Sequence, residues 1–440
     1  MHLKLNNFDM IDVRALDLDN YISSAGASDW VQNTGFFIKS SIRESFPTAG
    51  YYYQSPYVTP DMLLLNVGCA TGLKYSLDNP ATTKWEDRNW TDFPTMLFKE
   101  ANCHGGVKGM DWCCQFVNKL SFFQNTDIRE AYTDRFGNDV VNAVIKSNAY
   151  LQTLSTNIQK TDNFNSLFRS LGENDVDFID KTVSPNYSIA YGKPLFFIGL
   201  DGKINYTSVN RILNDGAMPK LYISLGELQD KLSEKFLKEK VKSLMGSDNY
   251  SKCTSQNYDM LLGENDKWKH IKPVMYYSRF DLPNTSSSTE ISYKPVTDKE
   301  TFYPLDDATF TQIKGTESDS ISNTANSTVL YEAKNCFDSS EDFVKIKVEV
   351  KDLTDINTLV VAGDKVVITT PYPYSVYNGV YVVEDITYVT KSNLTSMLVT
   401  CIRPNIDLSW SETLGDLKDS EEFKFMFAPI PNRNIFYKSK

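Results

Sequence analysis

Histidine is almost missing from this sequence: 440 residues hold three, His2, His104 and His270. Nucleophilic catalysis assisted by a histidine base would therefore rest on His104 or His270 alone. There is no His-Glu-x-x-His pair for a catalytic zinc, no nucleophile elbow and no glycine-rich loop to cradle phosphate. Basic charge is also short. The 56 Asp and Glu outnumber 45 Lys and Arg, for a net −11, and no basic run offsets the deficit, which speaks against nucleic-acid recognition. An acid excess suits a soluble protein, or one whose channel must not grip a passing polyanion. Apolar runs such as Leu195-Phe196-Phe197-Ile198 are far too short to cross a bilayer. Met1 to Leu5 show no apolar core of a secretory leader. The cysteines are seven, an odd number, irregularly spaced, and read as reduced thiols. The expectation is a chain without membrane insertion that folds in a cytoplasm.

Aromatics are abundant by contrast. The 25 Tyr and 25 Phe favour strands over long helices, and the length suggests two to four domains. Met62-Leu63-Leu64-Leu65-Asn66-Val67, bounded by Pro60 and Gly68, predicts a buried strand. From about 126 the pattern turns helical: Val140, Val141, Val144 and Ile145 share one helix face after Gly137-Asn138-Asp139. A second helix is expected across Phe164 to Val183, capped by Thr161 or Asp162 and split at Gly172. Gly199-Leu200-Asp201-Gly202 lies between Pro194–Ile198 and Lys203–Tyr206, which predicts a hairpin with a two-residue Asp-Gly turn flanked by Leu200 and Lys203.

Residues 226–246 read as an amphipathic helix with Leu228, Leu232, Phe236, Leu237, Val241 and Leu244 on one side. The mixed charges of its other side are a solvated face. Residues 283–330, rich in Ser, Thr, Asp and Asn, read as a loop or long insertion. Beyond 340 the chain is strand-like. Val344, Ile346, Val348 and Val350 alternate with Lys345, Lys347 and Glu349. Val366, Ile368, Val380, Val382 and Ile386 are expected inside an antiparallel barrel segment.

Few constellations could carry chemistry. Cys103-His104 with Cys113-Cys114 has the donor types of a structural zinc site, but adjacent ligands do not fit a tetrahedral ion, and Trp112 and Phe116 beside them point to core. Asp17 with Asp19, or Glu173, Asp175 and Asp177, could pair for acid–base work. No base or nucleophile accompanies them, and carboxylates this frequent pair by chance. Tyr51-Tyr52-Tyr53, or Tyr372 with Tyr374, could form a stacking platform. No catalytic residue, cofactor-binding residue, cofactor or metal ligand is assigned.

Two segments together resemble the hub family of contractile tails: the baseplate hubs of T-even-type phages, the late-control tail proteins of Mu-like and P2-like phages, and the base of type VI secretion spikes. The first is Thr161 to Lys181, similar to the family's acidic Asp-x-x-Phe-Leu turn between helices, followed by the Leu195–Tyr206 hairpin. The second is Leu359 to Ile368, Tyr377 to Tyr388 and Met397 to Arg403. It resembles the closing strands of the family's second barrel, with Gly363-Asp364-Lys365-Val366 and Gly379-Val380-Tyr381-Val382-Val383 at the matching motifs, and both glycines at turns of positive φ. The first 125 residues carry no motif that aligns.

The resemblance implies an α+β, mainly β chain with two small β-barrel-like hub domains and helical insertions. The expected division is an N-terminal hub domain (1–125), a helical segment with the hairpin (126–225), a helical and loop-rich insertion (226–340) and strands closing the second barrel (341–440). It further implies a homotrimer that adapts a six-fold tail tube to a three-fold central spike, beside baseplate wedge proteins, in a virion assembled in the host cytoplasm. A different class of reading is a tail-associated peptidoglycan hydrolase with Glu173 as its acid; a third is a receptor- or glycan-binding module.

Overall fold

The computed structural model describes residues 2–7, 32–55, 67, 70–79, 82–84, 87–106, 109–161, 164–183, 191, 194–226, 231–246, 250–262, 274–276, 289–291, 344–370, 377–391, 394–403 and 410. Met62–Asn66 of the strand expected over Met62–Val67, the 283–330 loop apart from residues 289–291, Asp17, Asp19, His270, Tyr372 and Tyr374 lie outside them. Val67, the last residue of that expected strand, is an exposed turn residue and not a buried one.

The chain is mainly β, with few helices. Its first strands are β1 (His2–Asn7), β2 (Gln32–Ser41), β3 (Thr48–Ser55), β4 (Ala70–Ser76), β5 (Thr91–Asp92), β6 (Met96–Gly106) and β7 (Gly109–Asn118). A middle group comprises β8 (Glu130–Phe136), β9 (Thr156–Ile158), β10 (Phe164–Arg169), β11 (Leu195–Ile198), β12 (Ile204–Thr207) and β13 (Leu221–Leu225). Then come β14 (Ser251–Ser255), β15 (Asn257–Leu262), β16 (Val274–Tyr276), β17 (Thr289–Ile291), β18 (Val344–Val350), β19 (Lys365–Thr369), β20 (Gly379–Lys391) and β21 (Leu394–Arg403). The helices are α1 (Gly137–Ser147), α2 (Asp175–Asp177, widening into a π-helical stretch Phe178–Val183), α3 (Val209–Asn214) and α4 (Lys231–Met245).

β20 organises the large sheet. Along one side it pairs β21 through residues 382–391; along the other it pairs β19 through residues 379–382 and β2 through residues 385–391. From β2 the sheet continues through β3, β7, β6 and β4 to β1. From β19 it continues through β13 to β14, and from β21 through β18 to β15. β14 and β15 are consecutive, one residue apart at Gln256, and at that corner Ser255 Oγ donates to the Glu349 carbonyl at 2.6 Å.

A bulge lets β20 serve both sets of strands. Its register against β21 shifts between Val383 and Asp385, so Glu384 is an extra residue and the alternation changes phase there. Tyr381 and Val383 face the main core before it, and Ile386 and Tyr388 face the same core after it. Without the shift, strict alternation would turn the second pair outward. That core is continuous from the N-terminal strands (Ile38, Tyr51, Tyr53, Phe98, Phe116) to the C-terminal ones (Ile346, Val366, Met397, Val399).

Strand β18 alternates as its sequence predicts, with Val344, Ile346, Val348 and Val350 buried. β19 is buried at all five positions, because both faces are covered. Val366 and Ile368 face the main core, while Val367 packs beneath α4 with Leu237, Val241, Met245 and Trp410. Helix α4 connects β13 to β14, two neighbouring parallel strands, as a crossover must. The strands around β19 are thus not purely antiparallel: β13 pairs it in parallel. Of the expected barrel residues Val366, Ile368, Val382 and Ile386 are buried, and Val380 is half-buried against the α4 cluster. The side chains of Leu228, Leu232 and Phe236 are outside the described set.

Helix α1 buries Val140, Val141, Val144 and Ile145, as its 3.6-residue period predicts. The helix expected over Phe164–Val183 is corrected. Phe164–Arg169 is strand β10, antiparallel to β8, and helix begins only at Asp175 after a turn in which Gly172 has φ +89°. Gly172 and the Asn174 cap, whose side chain accepts from the Asp177 amide at 2.7 Å, separate the two.

The hairpin forms, with a correction to its turn. Ile198 opposes Ile204, Gly199 N donates to Lys203 O at 2.9 Å, and Gly202 N donates to Gly199 O at 3.0 Å. The loop therefore has three residues, Leu200 to Gly202, closed by Gly202 at φ +75°. Gly363 sits in a turn at φ +88° as expected, whereas Gly379 opens β20 and leaves no room for a Cβ, which would lie 1.9 Å from Arg403 Nη1.

Candidate functional site

The residues singled out for chemistry are dispersed or structural. On the β6–β7 hairpin Cys103 is opposite Trp112 and Cys113 opposite Asn102. Cys103 is exposed, Cys113 half-buried, and Cys114 points the other way into the core. Burial pushes the Cys114 thiol up to about 12, so at neutral pH it is a protonated core thiol and not a ready nucleophile. Among the described residues no three His, Cys, Asp or Glu side chains converge as a metal site. Tyr51 and Tyr53 are buried with ring centroids 5.6 Å apart, and Tyr52 covers Gly35. Strand alternation therefore removes two of the three rings from any stacking platform.

The carboxylates Glu173, Asp175 and Asp177 each close a local structure. Glu173 Oε2 accepts from the Ser170 amide at 3.1 Å across the turn. Asp177 receives Lys181 at 3.0 Å, one helical turn on. Asp175 is wholly buried and meets the equally buried Arg169 at 2.6 Å. It also accepts from Asn148 Nδ2 at 2.6 Å and from the Asn125 amide at 3.2 Å. Arg169 donates onward to the carbonyls of Glu173 and Asn125 and lies 5.7 Å from the Phe178 ring centroid. Each ion thus gains further hydrogen bonds through its other atoms, and such partners are what make a buried ion pair tolerable. Arg169 Nη1 and Asp175 Oδ1 are held by the charge contact between them and not by a well-directed hydrogen bond. The segment Thr161–Lys181 is thus pinned to α1 and to the chain before β8.

A second buried ion site stands at the β20 bulge. Glu384, nearly excluded from solvent, receives Lys345 at 2.7 Å and Arg43 Nε at 3.3 Å. Its carbonyl accepts from the Ile42 amide at 2.9 Å. Lys345 belongs to β18 and Arg43 follows β2, so one carboxylate ties together strands from both ends of the chain. Nothing near Arg43 in sequence signals this partnership, because the two residues are 341 positions apart.

The hairpin β11–β12 is a third joint. Phe196, Ile198, Ile204 and Tyr206 enter the core under α1 and α2. Phe197, on the opposite face, packs with Ile42, Val209, Ile212, Val382 and Ile402. Leu200 at the tip is buried in the main core. One hairpin therefore contributes to three hydrophobic clusters. Among the described residues the geometry is a set of buried joints between strands and helices.

No protein-family model and no curated protein matches the sequence. Solved structures do. A tail protein from Neisseria meningitidis MC58 is similar at 8% identity and TM-score 0.44, over 84% of this chain and 92% of that one. The 43 kDa tail protein of prophage MuSo2 from Shewanella oneidensis is similar at 9% identity and TM-score 0.48, over 92% of this chain and 99% of that one. The E. coli c3393 protein, a type VI secretion component described as structurally similar to the T4 bacteriophage tail proteins gp27 and gp5, is similar at 7% identity and TM-score 0.41, over 85% and 74%. These neighbours are two tail proteins and a type VI secretion component. They are likenesses at low identity, and the reading below rests on this chain's own residues.

Proposed function

We propose that this chain is a structural hub protein of a contractile-type phage tail, forming a trimeric ring that adapts the six-fold tail tube to a three-fold central spike. The observation that carries the reading is β20, which along one edge pairs β19 before and β2 after a buried ionic bulge. It joins an N-terminal and a C-terminal β assembly in one sheet over a shared core. Of the two segments that resemble the hub family, the second folds as three successive strands, and the first is followed by its hairpin although its leading helix is replaced by strand β10.

In this reading residues 1–125 build one barrel-like domain and 341–440 the other. The pairing path β20–β19–β13–β14, with β15, β18 and β21 on the other side, is read as the second barrel-like domain; β14 and β15 are not paired and are joined only through the Gln256 corner. The helical segment (126–225) and the rest of the 226–340 insertion surround them. Two similar barrels in each of three chains present six quasi-equivalent surfaces to a six-fold tube and three-fold symmetry to a spike. The partners are further copies of the chain, tail tube proteins, a central spike protein and baseplate wedge proteins, in the virion tail baseplate after assembly in the host cytoplasm. No catalysis, cofactor or sequence-specific nucleic-acid contact is required.

Disrupting the gene in the virus that encodes it tests this against the enzyme and receptor alternatives. A hub is needed to build the tail, so the mutant should yield heads without assembled tails. Complete tails that attach poorly or fail to breach the cell wall would contradict the hub reading.

A further inference from the structure

We infer that an exposed aromatic face on the module of α1, α2 and the β8–β10 ribbon is where one copy of this chain meets the next, an inference that rests on the ring-forming reading above. Phe122, Phe123, Tyr150, Phe168 and Leu171 are among the most exposed large apolar side chains described, Phe168 at 66% and Leu171 at 57%. Two of them are in direct contact, and hydrogen bonds to backbone carbonyls tie the segments that bear the others. Phe123 stacks on Tyr150 with centroids 4.2 Å apart, and Asn148 Nδ2 holds the Phe123 carbonyl at 3.0 Å. Along the same strip Arg169 donates to the Asn125 carbonyl, and Gly172 N donates to the Thr126 carbonyl at 2.8 Å. The segment 122–126 thus runs from Tyr150 to the turn that bears Leu171, with Phe168 on the strand leading into it.

The ribbon has only two strands, β8 and β10. One face is spent on the core through Tyr132 and Leu167. The other shows Phe168 opposite Ala131, both exposed, and among the described residues nothing covers it. The face is also rigid, because Arg169, directly after Phe168, is locked by Asp175 beneath it. An aromatic centre presented in a fixed shape, with polar groups at its margin, is the anatomy of a protein interface.

Charge selects the occupant. Copies of a chain with net charge −11 repel over most of their surface. Here both signs flank the aromatics, Asp127 beside Arg129 and Asp134 beside Arg135, all exposed. A like copy can approach such a margin without net repulsion. A basic partner would instead be drawn to the acidic remainder, and an acidic one would gain nothing here.

Sedimentation velocity of the full chain tests this, with Phe168→Asp/Leu171→Asp as variant and Leu398→Asp, on the distant strand β21, as control. Expected are a trimer for wild type and control, and a folded monomer for the double variant. A double variant that keeps wild-type circular dichroism and still runs as a trimer overturns the face while leaving the ring reading intact. A wild type that remains monomeric at all concentrations overturns the ring reading, and the inference falls with it. Hydrogen exchange on wild type alone gives an answer that does not depend on the variant folding. Amides of 122–126 and 168–172 should exchange more slowly in the trimer than in diluted monomer; equal rates overturn the inference.

Discussion

Glu384 and Lys345 meet at 2.7 Å although an entire strand, β21, lies between their own. The carboxylate can reach because the bulge adds one residue to β20 and re-aims it. The same addition keeps Tyr381 and Tyr388, on opposite sides of the bulge, facing one core. Replacing Glu384 by Gln retains the shape and removes the charge. Lys345 and Arg43 are partly solvated and can relax into water, so the cost should be moderate, roughly 1–2 kcal/mol. Chemical denaturation measures it; unchanged stability would show that the bulge stands without its ion pair.

Asp175 and Arg169 have no such escape, since both side chains are fully buried. Asp175→Ala should destabilise by on the order of 3–5 kcal/mol, because it leaves the guanidinium without its counter-charge. Denaturant titration reads this directly. A loss below about 1 kcal/mol would fit an exposed pair, and would contradict the buried anchor.

Two glycines allow a paired comparison. Gly202 has φ +75° with its nearest outside neighbour, Pro94 Cγ, 3.8 Å from where a Cβ would stand. Gly363 has φ +88°, and its Cβ would lie 2.9 Å from Phe197 Cζ. Alanine at 202 should cost about 1 kcal/mol from backbone strain alone. Alanine at 363 should cost more, because Phe197 must also move. Equal thermal shifts in the two variants would remove the steric part of the argument.

The strand expected to be a helix shows what was not legible. Phe164, Leu167 and Phe168 are spaced i, i+3, i+4 and imitate a helix face. Pairing with β8, some thirty residues earlier, overrides that local preference, and no local signal announces it. Short-range features fared better: the burial of α1, the alternation of β18 and a hairpin closed by a glycine at positive φ follow from residues within a turn of one another. The bulge at Glu384 was hidden because Val-Val-Glu-Asp-Ile holds no glycine or proline. The three adjacent tyrosines form no common platform because strand alternation buries Tyr51 and Tyr53 and turns Tyr52 to the other face.

Asp364 carries a pH dependence. Burial raises its pKa above the ordinary value of 3.8, and Lys220, 2.9 Å away, and the Val361 amide, at 2.8 Å, only partly offset this. The folded state therefore holds the proton more tightly than the unfolded chain. Its contribution to stability is fully present below about 3.8 and is lost as pH rises through the folded value. Asp364→Asn should remove this component, so its stability relative to wild type should improve as pH rises from 4 to neutral. A difference that is flat, or that runs the other way, would mean that Lys220 dominates.

The central claim is tested most directly by cryo-electron microscopy of intact particles, which gives this chain's position and copy number. The account predicts three copies in a ring where the tail tube meets the spike, with the barrels around 1–125 and 341–440 alternating about the channel. A copy number not divisible by three, or a position away from the tail axis, would contradict it.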